Sequence, residues 1–125
     1  GKRLLLVEDN MINMEIANMI LLDKGFTVET AENGKIALDM VSSSEPGYYD
    51  AILMDIQMPV MDGYEATERI RSLPDRSRAQ IPIIAMTANA FKEDRCKAAE
   101  SGMDAYITKP VDVLTLRYVL RRVLR

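Results

Sequence analysis

Five short apolar runs alternate with five longer stretches of helical period along this chain of 125 residues. The runs are mostly continuous in apolar character, which is typical of strands that are covered on both faces of a sheet. We predict strands at Arg3–Glu8, Phe26–Ala31, Asp50–Met54, Pro82–Met86 and Asp104–Thr108, and helices at 11–24, 34–43, 63–72, 90–101 and 112–124. Regular alternation of this kind calls for a parallel sheet with helices on both faces.

The handedness of the connections restricts the order of these strands. Because crossovers between parallel strands are right-handed, the practical candidates are doubly wound orders such as 2-1-3-4-5, the flavodoxin-like (βα)5 arrangement. No linker or low-complexity tract interrupts the alternation. We therefore interpret residues 1–125 as one α/β domain, and Gly1 in place of an initiating Met suggests a domain excised from a larger chain.

Residues that favour helix ends and turns mark several boundaries. Asn10 has the side chain of an N-cap for the first helix, and Gly25 and Gly102 follow helices where a left-handed C-terminal residue is favoured. Asp62-Gly63 is interpreted as the turn into the third helix. The polar, Pro-bearing segment Ser72–Gln80 is predicted to be a loop.

Charge and cysteine content argue against several functional classes. A net charge of −3 disfavours direct nucleic-acid binding, which normally needs a basic surface. Cys96 is the sole cysteine, so no internal disulfide forms and a cytoplasmic location is expected. The chain has no histidine, which argues against zinc or copper. No apolar stretch approaches the roughly 20 residues of a bilayer span, so we expect no membrane contact by this domain.

Charged residues come at or directly after the ends of three apolar runs. Glu8 and Asp9 end the first, Asp55 follows the third, and Lys109 follows the fifth. Ligands of open α/β sheets bind outside the carboxyl ends of the strands, so these side chains are expected to share a pocket. Clustered carboxylates repel unless a cation compensates, and Mg²⁺ suits them. We expect Asp9 and Asp55 to bind it directly, Glu8 directly or through water, and Gln57 through its backbone carbonyl.

The same residues suit phosphoryl transfer. An ionised Asp55 is a nucleophile toward phosphorus, and Lys109 is placed to stabilise charge on the phosphoryl oxygens. Thr87 ends the fourth run, where its hydroxyl would bond a phosphoryl oxygen. A cis bond between Lys109 and Pro110 would aim the ammonium inward, although most such bonds are trans.

Motifs in a fixed order carry a family resemblance over nearly the whole chain. They are Leu-Val-Glu-Asp-Asn at 6–10, Ala-Glu-Asn-Gly at 31–34, Met-Asp-Ile-Gln-Met-Pro-Val-Met-Asp-Gly at 54–63, Ile-Ile-Ala-Met-Thr-Ala at 83–88 and Gly-Met-Asp-Ala-Tyr-Ile-Thr-Lys-Pro at 102–110. The chain resembles the receiver domains of response regulators in two-component signalling. Within that family, the sequence around Glu8 and Thr87 is most similar to the receivers of hybrid sensor histidine kinases.

The resemblance implies specific roles. Asp55 would accept a phosphoryl group from a phosphohistidine of a histidine kinase or a histidine phosphotransfer domain, in a Mg²⁺-dependent reaction. Glu8 and Asp9 would hold the metal, Lys109 would contact the phosphoryl group, and Thr87 with Tyr106 would form the switch that reports phosphorylation. The domain would catalyse only its own phosphorylation and dephosphorylation.

Other interpretations of the same residues stay open. Asp55 alone would be read as an acid at a strand-to-loop turn. An aspartyl-phosphate phosphohydrolase also uses a strand-end Asp, but it generally needs a second Asp where this chain has Gln57. A flavin-binding module would need a phosphate-cradling loop where Glu8 and Asp9 would repel phosphate. A docking module that is never phosphorylated is the remaining alternative.

Two helices suggest contact surfaces. If Ile16, Ala17, Ile20 and Leu21 face the sheet, then Met11, Met14, Asn18 and Leu22 form an outer stripe, which we predict receives the helices of a phosphotransfer partner unless neighbouring loops cover it. The last helix carries Arg117, Arg121, Arg122 and Arg125, which we interpret as a solvated face. A second interpretation joins them with Lys92 and Arg95 in an output interface or a dimer formed on phosphorylation.

Overall fold

The protein is described by a computed structural model that covers residues 2–88, 92–109 and 111–124. The proposed cis bond to Pro110, the start of the fourth predicted helix at 90, and the predicted roles of Lys92 and Arg125 lie outside the described residues or side chains. None of the described helices combines the length and apolar character that a bilayer span requires.

Strands and helices alternate as the sequence predicts. The strands are β1 (Arg3–Val7), β2 (Thr27–Ala31), β3 (Ala51–Asp55), β4 (Ile83–Thr87) and β5 (Ala105–Thr108). The helices are α1 (Met11–Asp23), α2 (Gly34–Ser43), α3 (Gly63–Arg71), α4 (Arg76–Ala79), α5 (Lys92–Ser101) and α6 (Val113–Val123). All strand pairs are parallel, and the order β2-β1-β3-β4-β5 confirms the doubly wound α/β sheet. Most predicted boundaries shift by one or two residues.

Alternate residues of the central strands enter two separate cores. Leu5 and Ile52 pack on one face, where α2, α3 and α5 lie. Leu4 and Leu53 pack on the other face, against α1 and α6. Both faces are covered because successive strand side chains point in opposite directions, and this explains the continuous apolar runs.

Capping residues fix several helix ends. The Asn10 side chain accepts a hydrogen bond from the Asn13 amide, and Asp62 caps α3 in the same way through the Glu65 amide, each satisfying an amide that the first turn leaves unpaired. Gly25 and Gly102 have φ angles of 89° and 104°, as predicted for residues that follow helices.

The prediction of a plain loop at Ser72–Gln80 is wrong, because α4 forms inside it. Asp75 caps this single turn by accepting a hydrogen bond from the Arg78 amide at 3.1 Å. The Arg78 side chain donates to the Ser44 carbonyl at 2.7 Å, which ties the turn to the end of α2. A four-residue helix is too short to show a periodic apolar pattern in the sequence. The contact between Arg78 and Ser44 stabilises it.

The predicted orientation of α1 is also partly wrong. Ala17 and Leu21 face the sheet as expected, but Met14 is 8% exposed and joins them, whereas Ile16 is 48% exposed. The inward residues therefore follow the spacing i, i+3 and i+7 from Met14. Apolar side chains occur on every side of α1, so periodicity alone could not select the buried face.

Candidate functional site

Parallel pairing of β1 with β3 brings three carboxylates together. Val7 pairs with Met54, so Glu8, Asp9 and Asp55 all lie where these two strands end. Ligand oxygens of the three side chains lie within 4.8 Å of one another. Glu8 and Asp55 are each only 3% exposed, whereas Asp9 is exposed. The predicted acid cluster is therefore present, with one member at the solvent side.

Lys109 supplies the positive charge of the cluster. Its amide donates to the Thr87 carbonyl at 2.7 Å, which fixes the chain just after β5. Its Nζ lies 2.8 Å from Glu8 Oε1 and 3.0 Å from Asp55 Oδ1. Burial by itself lowers the pKa of Lys109, but the hydrogen bonds to Glu8 and Asp55 outweigh it and raise that pKa. The ammonium is thus held in its charged form between two buried acids.

One lysine does not balance three acids. Burial, followed by the hydrogen-bonding interaction with Glu8, raises the pKa of Asp55 to about 7 despite the opposing effect of Lys109. Glu8 also accepts a hydrogen bond on Oε2 from the Asn10 amide at 3.2 Å. An all-oxygen donor set with excess negative charge fits a hard divalent cation such as Mg²⁺, which would relieve the repulsion.

A cleft of about 570 Å³ opens beside these acids. Asp9, Gln57 and Thr87 line it together with Tyr64 of α3 and Lys97 of α5. The Gln57 side chain is exposed and Thr87 is largely buried at the end of β4. The cleft therefore brings three of the predicted site residues, Asp9, Gln57 and Thr87, to one opening, whereas Glu8, Asp55 and Lys109 are not among the described residues that line it.

The loop between β3 and α3 has an unusual shape that the sequence did not reveal. Val60 has a φ of 69°, which is costly for a β-branched residue, and the Met61 amide donates to the Pro59 carbonyl at 2.7 Å. The Met61 carbonyl accepts a hydrogen bond from the Gly34 amide at 3.1 Å. A Cβ on Gly34 would meet that carbonyl and the Ala66 side chain. Gly34 is thus a supporting residue that the sequence showed only as part of a motif.

Tyr106 lies apart from the acid cluster. It sits on β5 in register with Ala85 and is half-buried. Its hydroxyl accepts a hydrogen bond from Arg95 Nη1 at 2.9 Å, and the guanidinium lies 5.6 Å from its ring centre. The structure thus links the predicted switch tyrosine to α5.

Comparisons with known proteins show the family of this chain. The family model of the response regulator receiver domain matches residues 4–121. Hybrid signal transduction histidine kinase I of Dictyostelium discoideum is 43% identical over 121 residues, which is 95% of this chain and 7% of that protein. Probable histidine kinase 2 of Oryza sativa is 44% identical over 123 residues, 90% of this chain and 12% of that protein. The chain thus spans a small part of these relatives.

Solved structures give the same result. The receiver domain of sensor histidine kinase PA1611 from Pseudomonas aeruginosa, with a magnesium ion coordinated in its active site cleft, is 38% identical with a TM-score of 0.88, covering 99% of this chain and 98% of that one. The receiver domain of Ssk1 of Saccharomyces cerevisiae, in complex with the histidine phosphotransfer protein Ypd1, is 32% identical with a TM-score of 0.88, covering 99% and 89%. This chain belongs to the response regulator receiver domain family.

Proposed function

We propose that this receiver domain serves a two-component phosphorelay by accepting a phosphoryl group on Asp55. The observation that carries the proposal is the buried Asp55 carboxylate, which lies 3.0 Å from Lys109 Nζ and in a cluster with Glu8 and Asp9. A buried nucleophile with a fixed cation beside it, next to residues that line a cleft, suits in-line transfer. The donor is a phosphohistidine of a histidine kinase or a histidine phosphotransfer domain.

The reaction moves one phosphoryl group between two side chains. A carboxylate oxygen of Asp55 attacks phosphorus, an O–P bond forms, and the P–N bond to the donor imidazole breaks. The departing nitrogen keeps the bonding electron pair and takes up a proton. Lys109 donates a hydrogen bond to a phosphoryl oxygen, which compensates the charge that collects there.

The acid cluster is proposed to hold the metal. Asp9 and Asp55 would bind Mg²⁺ directly, Gln57 would contribute its backbone carbonyl, and Glu8 would act through water, because Lys109 and the Asn10 amide already engage its two oxygens. When bound, Mg²⁺ neutralises charge between the acids and the phosphoryl oxygens. Asp9 is the exposed acid, so it is the ligand that solvent-borne metal meets first.

Thr87 and Tyr106 report the phosphorylated state in this proposal. The Thr87 hydroxyl bonds a phosphoryl oxygen at the mouth of the cleft, and Tyr106 changes its position beside β4 as Thr87 moves. The contacts of Tyr106 with Arg95 carry that change to α5. The altered surface of β5 and α5 then changes partner contacts, including formation of a dimer.

The direct test is phosphorylation by a small donor. With Mg²⁺ and acetyl phosphate we expect intact-mass spectra to show a single phosphoryl adduct that is lost in Asp55→Asn and when EDTA replaces Mg²⁺. Glu65→Gln is a matched control, because its carboxylate is exposed and paired with Arg69 on α3. An adduct that survives Asp55→Asn would refute the assignment, and no adduct in the wild type would favour a docking module.

An aspartyl-phosphate phosphohydrolase is the competing activity. Such an enzyme needs an acid or base beside the nucleophile, and the cleft has the amide of Gln57 there. A side-chain amide does not act as a general acid or general base at neutral pH, so turnover of phosphate esters is not expected. Rapid multiple turnover of an aryl phosphate would favour the phosphohydrolase over the phosphoacceptor domain.

The exposed apolar surface of α1 is the contact for the phosphotransfer partner. Met11, Ile12 and Ile16 are all exposed on the first turns of α1, which begins next to the acid cluster. These three residues, the α1 surface, replace the stripe that the sequence predicted, because Met14 is buried. A partner helix that packs here brings its histidine toward Asp55.

Charge on the α1 surface will slow the relay. We expect Ile12→Glu, at a residue 69% exposed, to reduce the rate of transfer from a histidine phosphotransfer protein about tenfold or more, because it places a carboxylate in an apolar contact. Acetyl phosphate should still modify the variant at the wild-type rate. Leu22→Glu is the control, since Leu22 is 52% exposed but lies about 15 Å further along the same helix. Equal slowing by both variants would exclude the α1 surface.

The domain is proposed to belong to a longer, cytoplasmic hybrid histidine kinase. Support comes from relatives of that kind, of which the chain spans 7% and 12%, and from the exposed, unpaired thiol of Cys96, which suits a reducing compartment. Residues 1–125 form one receiver domain in this proposal, without direct contact to nucleic acid or membrane. Kinase activity would reside elsewhere in the longer chain.

A further inference from the structure

A groove of about 540 Å³ runs between α1 and α6. Its floor is apolar, because Leu21, Leu116 and Leu120 lie at its base and are at most 3% exposed. Ile20 and Phe26 line it and are half-buried. None of the described residues that line this groove also lines the cleft beside Asp55. The groove is therefore a second concave surface, separate from the phosphoacceptor site.

Four cations border the apolar floor. Lys2, Lys24, Arg117 and Arg121 all line the groove and are all exposed. No carboxylate is among the lining residues that the structure describes. Within residues 2–88, 92–109 and 111–124, none of the four makes an ion pair. This local excess of positive charge contrasts with the net charge of −3 of the whole chain.

The combination selects for an anionic, apolar ligand. Like charges around a concave, low-dielectric surface repel one another, and they focus a positive potential into it. A ligand that covers the leucines and places carboxylates beside the cations would remove apolar surface from water and relieve that repulsion. A neutral apolar ligand would gain only the first of these effects.

The shape of the groove selects a helix among such ligands. The groove follows α6 from Val113 to Leu124, about 16 Å, which is three turns of a helix. It is flanked by exposed side chains, so it would not enclose most of a small molecule as a ligand pocket does. Its apolar floor lies below the cations, where a flat lipid surface would not reach it. A protruding helix with apolar residues on one face meets both requirements.

We propose that the α1–α6 groove binds an acidic amphipathic helix of a partner protein. Leucine-like side chains at i, i+4 and i+7 contact the floor formed by Leu21, Leu116 and Leu120, and flanking Asp or Glu side chains pair with Arg117 and Arg121. Binding at this site does not require Asp55. The domain thereby has one contact for phosphoryl exchange and a separate one for attachment of a partner.

The test uses a designed peptide of about 15 residues, with Leu at i, i+4 and i+7 and Glu on both flanks. We expect saturable binding by fluorescence anisotropy, with amide shifts in the NMR spectrum confined to α1, α6 and the adjacent groove residues Lys2, Lys24 and Phe26. A control peptide with Lys in place of each Glu should bind at least about tenfold more weakly. Thermal melts of each protein variant confirm that it is folded.

Substitutions in the protein test whether the acidic peptide contacts the cations that border the groove. The double variant Arg117→Glu with Arg121→Glu should bind the acidic peptide at least about tenfold more weakly than wild type does, and it should bind the lysine peptide more tightly. Arg121→Glu alone should weaken the acidic peptide by a smaller factor, and Arg122→Glu is its matched control, because it makes the same single charge reversal on α6 but does not line the groove; it should stay within about twofold of wild type. Absence of saturable binding, or equal loss in the two single variants, would overturn the proposal. So would binding of laurate or of anionic vesicles, but not the peptide, to the wild type.

Discussion

Asp55→Asn will stabilise the metal-free protein, raising its free energy of unfolding at pH 7.5 by about 2–4 kcal/mol. The reason is that Asp55 is buried next to Glu8 with the exposed Asp9 close by, and among the described residues only Lys109 pairs with the two buried acids. Asparagine keeps the shape of the side chain and removes one negative charge. Urea unfolding in the presence of EDTA measures the difference.

The same effect has a defined pH dependence. The pKa of Asp55 is raised to about 7 in the folded protein, mainly by burial, whereas an unfolded aspartate ionises near pH 4. Between these values the folded state binds more protons than the unfolded state, so the stability contributed by this group falls as the pH rises from about 4 to about 7. Asp55→Asn lacks this loss, so the gain over wild type should be smallest near pH 4 and largest above pH 7.

Two controls separate charge from other causes. Saturating Mg²⁺ should stabilise the wild type and much reduce the gain from Asp55→Asn, because the metal neutralises the same cluster. Lys109→Met should act in the opposite direction and lower the unfolding free energy by about 2–4 kcal/mol, since it leaves Glu8 and Asp55 without their cation. A stability gain in Asp55→Asn that is independent of pH would show that ionisation is not its cause.

Gly63→Ala will destabilise the protein by about 3–5 kcal/mol, although it adds one methyl group. A Cβ on Gly63 would collide with the carbonyl oxygen of Asp55 and lie 2.9 Å from the Ile56 Cα. Both are backbone atoms of β3 and the loop after it, so neither can rotate away as a side chain would. The Gly63 amide also donates to the Ile56 carbonyl at 2.8 Å, which holds the start of α3 against the end of β3.

Gly47→Ala is the matched control for this prediction. Gly47 has a φ of 80°, but no atom lies within 4 Å of a Cβ built there, so we expect a loss of only about 1 kcal/mol from backbone strain. Urea unfolding of both variants gives the comparison, and phosphorylation by acetyl phosphate shows whether a folded Gly63→Ala protein keeps Asp55 in place. Similar losses in the two variants would show that contact at Gly63 is not limiting.

Local patterns in the sequence were sufficient for the architecture. Strand order could be narrowed because right-handed crossovers leave few arrangements for five alternating units, and 2-1-3-4-5 is the order observed. The caps at Asn10 and Gly25 were predicted because each acts on backbone groups within a few residues. The short helix α4 was missed because its stability depends on a contact between Arg78 and the distant Ser44 carbonyl.

The sequence by itself determined that Glu8, Asp9, Asp55 and Lys109 would meet, because residues at the ends of parallel strands necessarily lie at one edge of the sheet. Only the tertiary structure decided their electrostatics, the buried face of α1, and the groove where Lys2, Lys24 and two arginines of α6 surround leucines of α1 and α6. These properties depend on burial and on distances between segments far apart in the chain. The periodicity of apolar residues indicates on which side of its own helix or strand a residue lies. Which other segment that side contacts depends on tertiary packing.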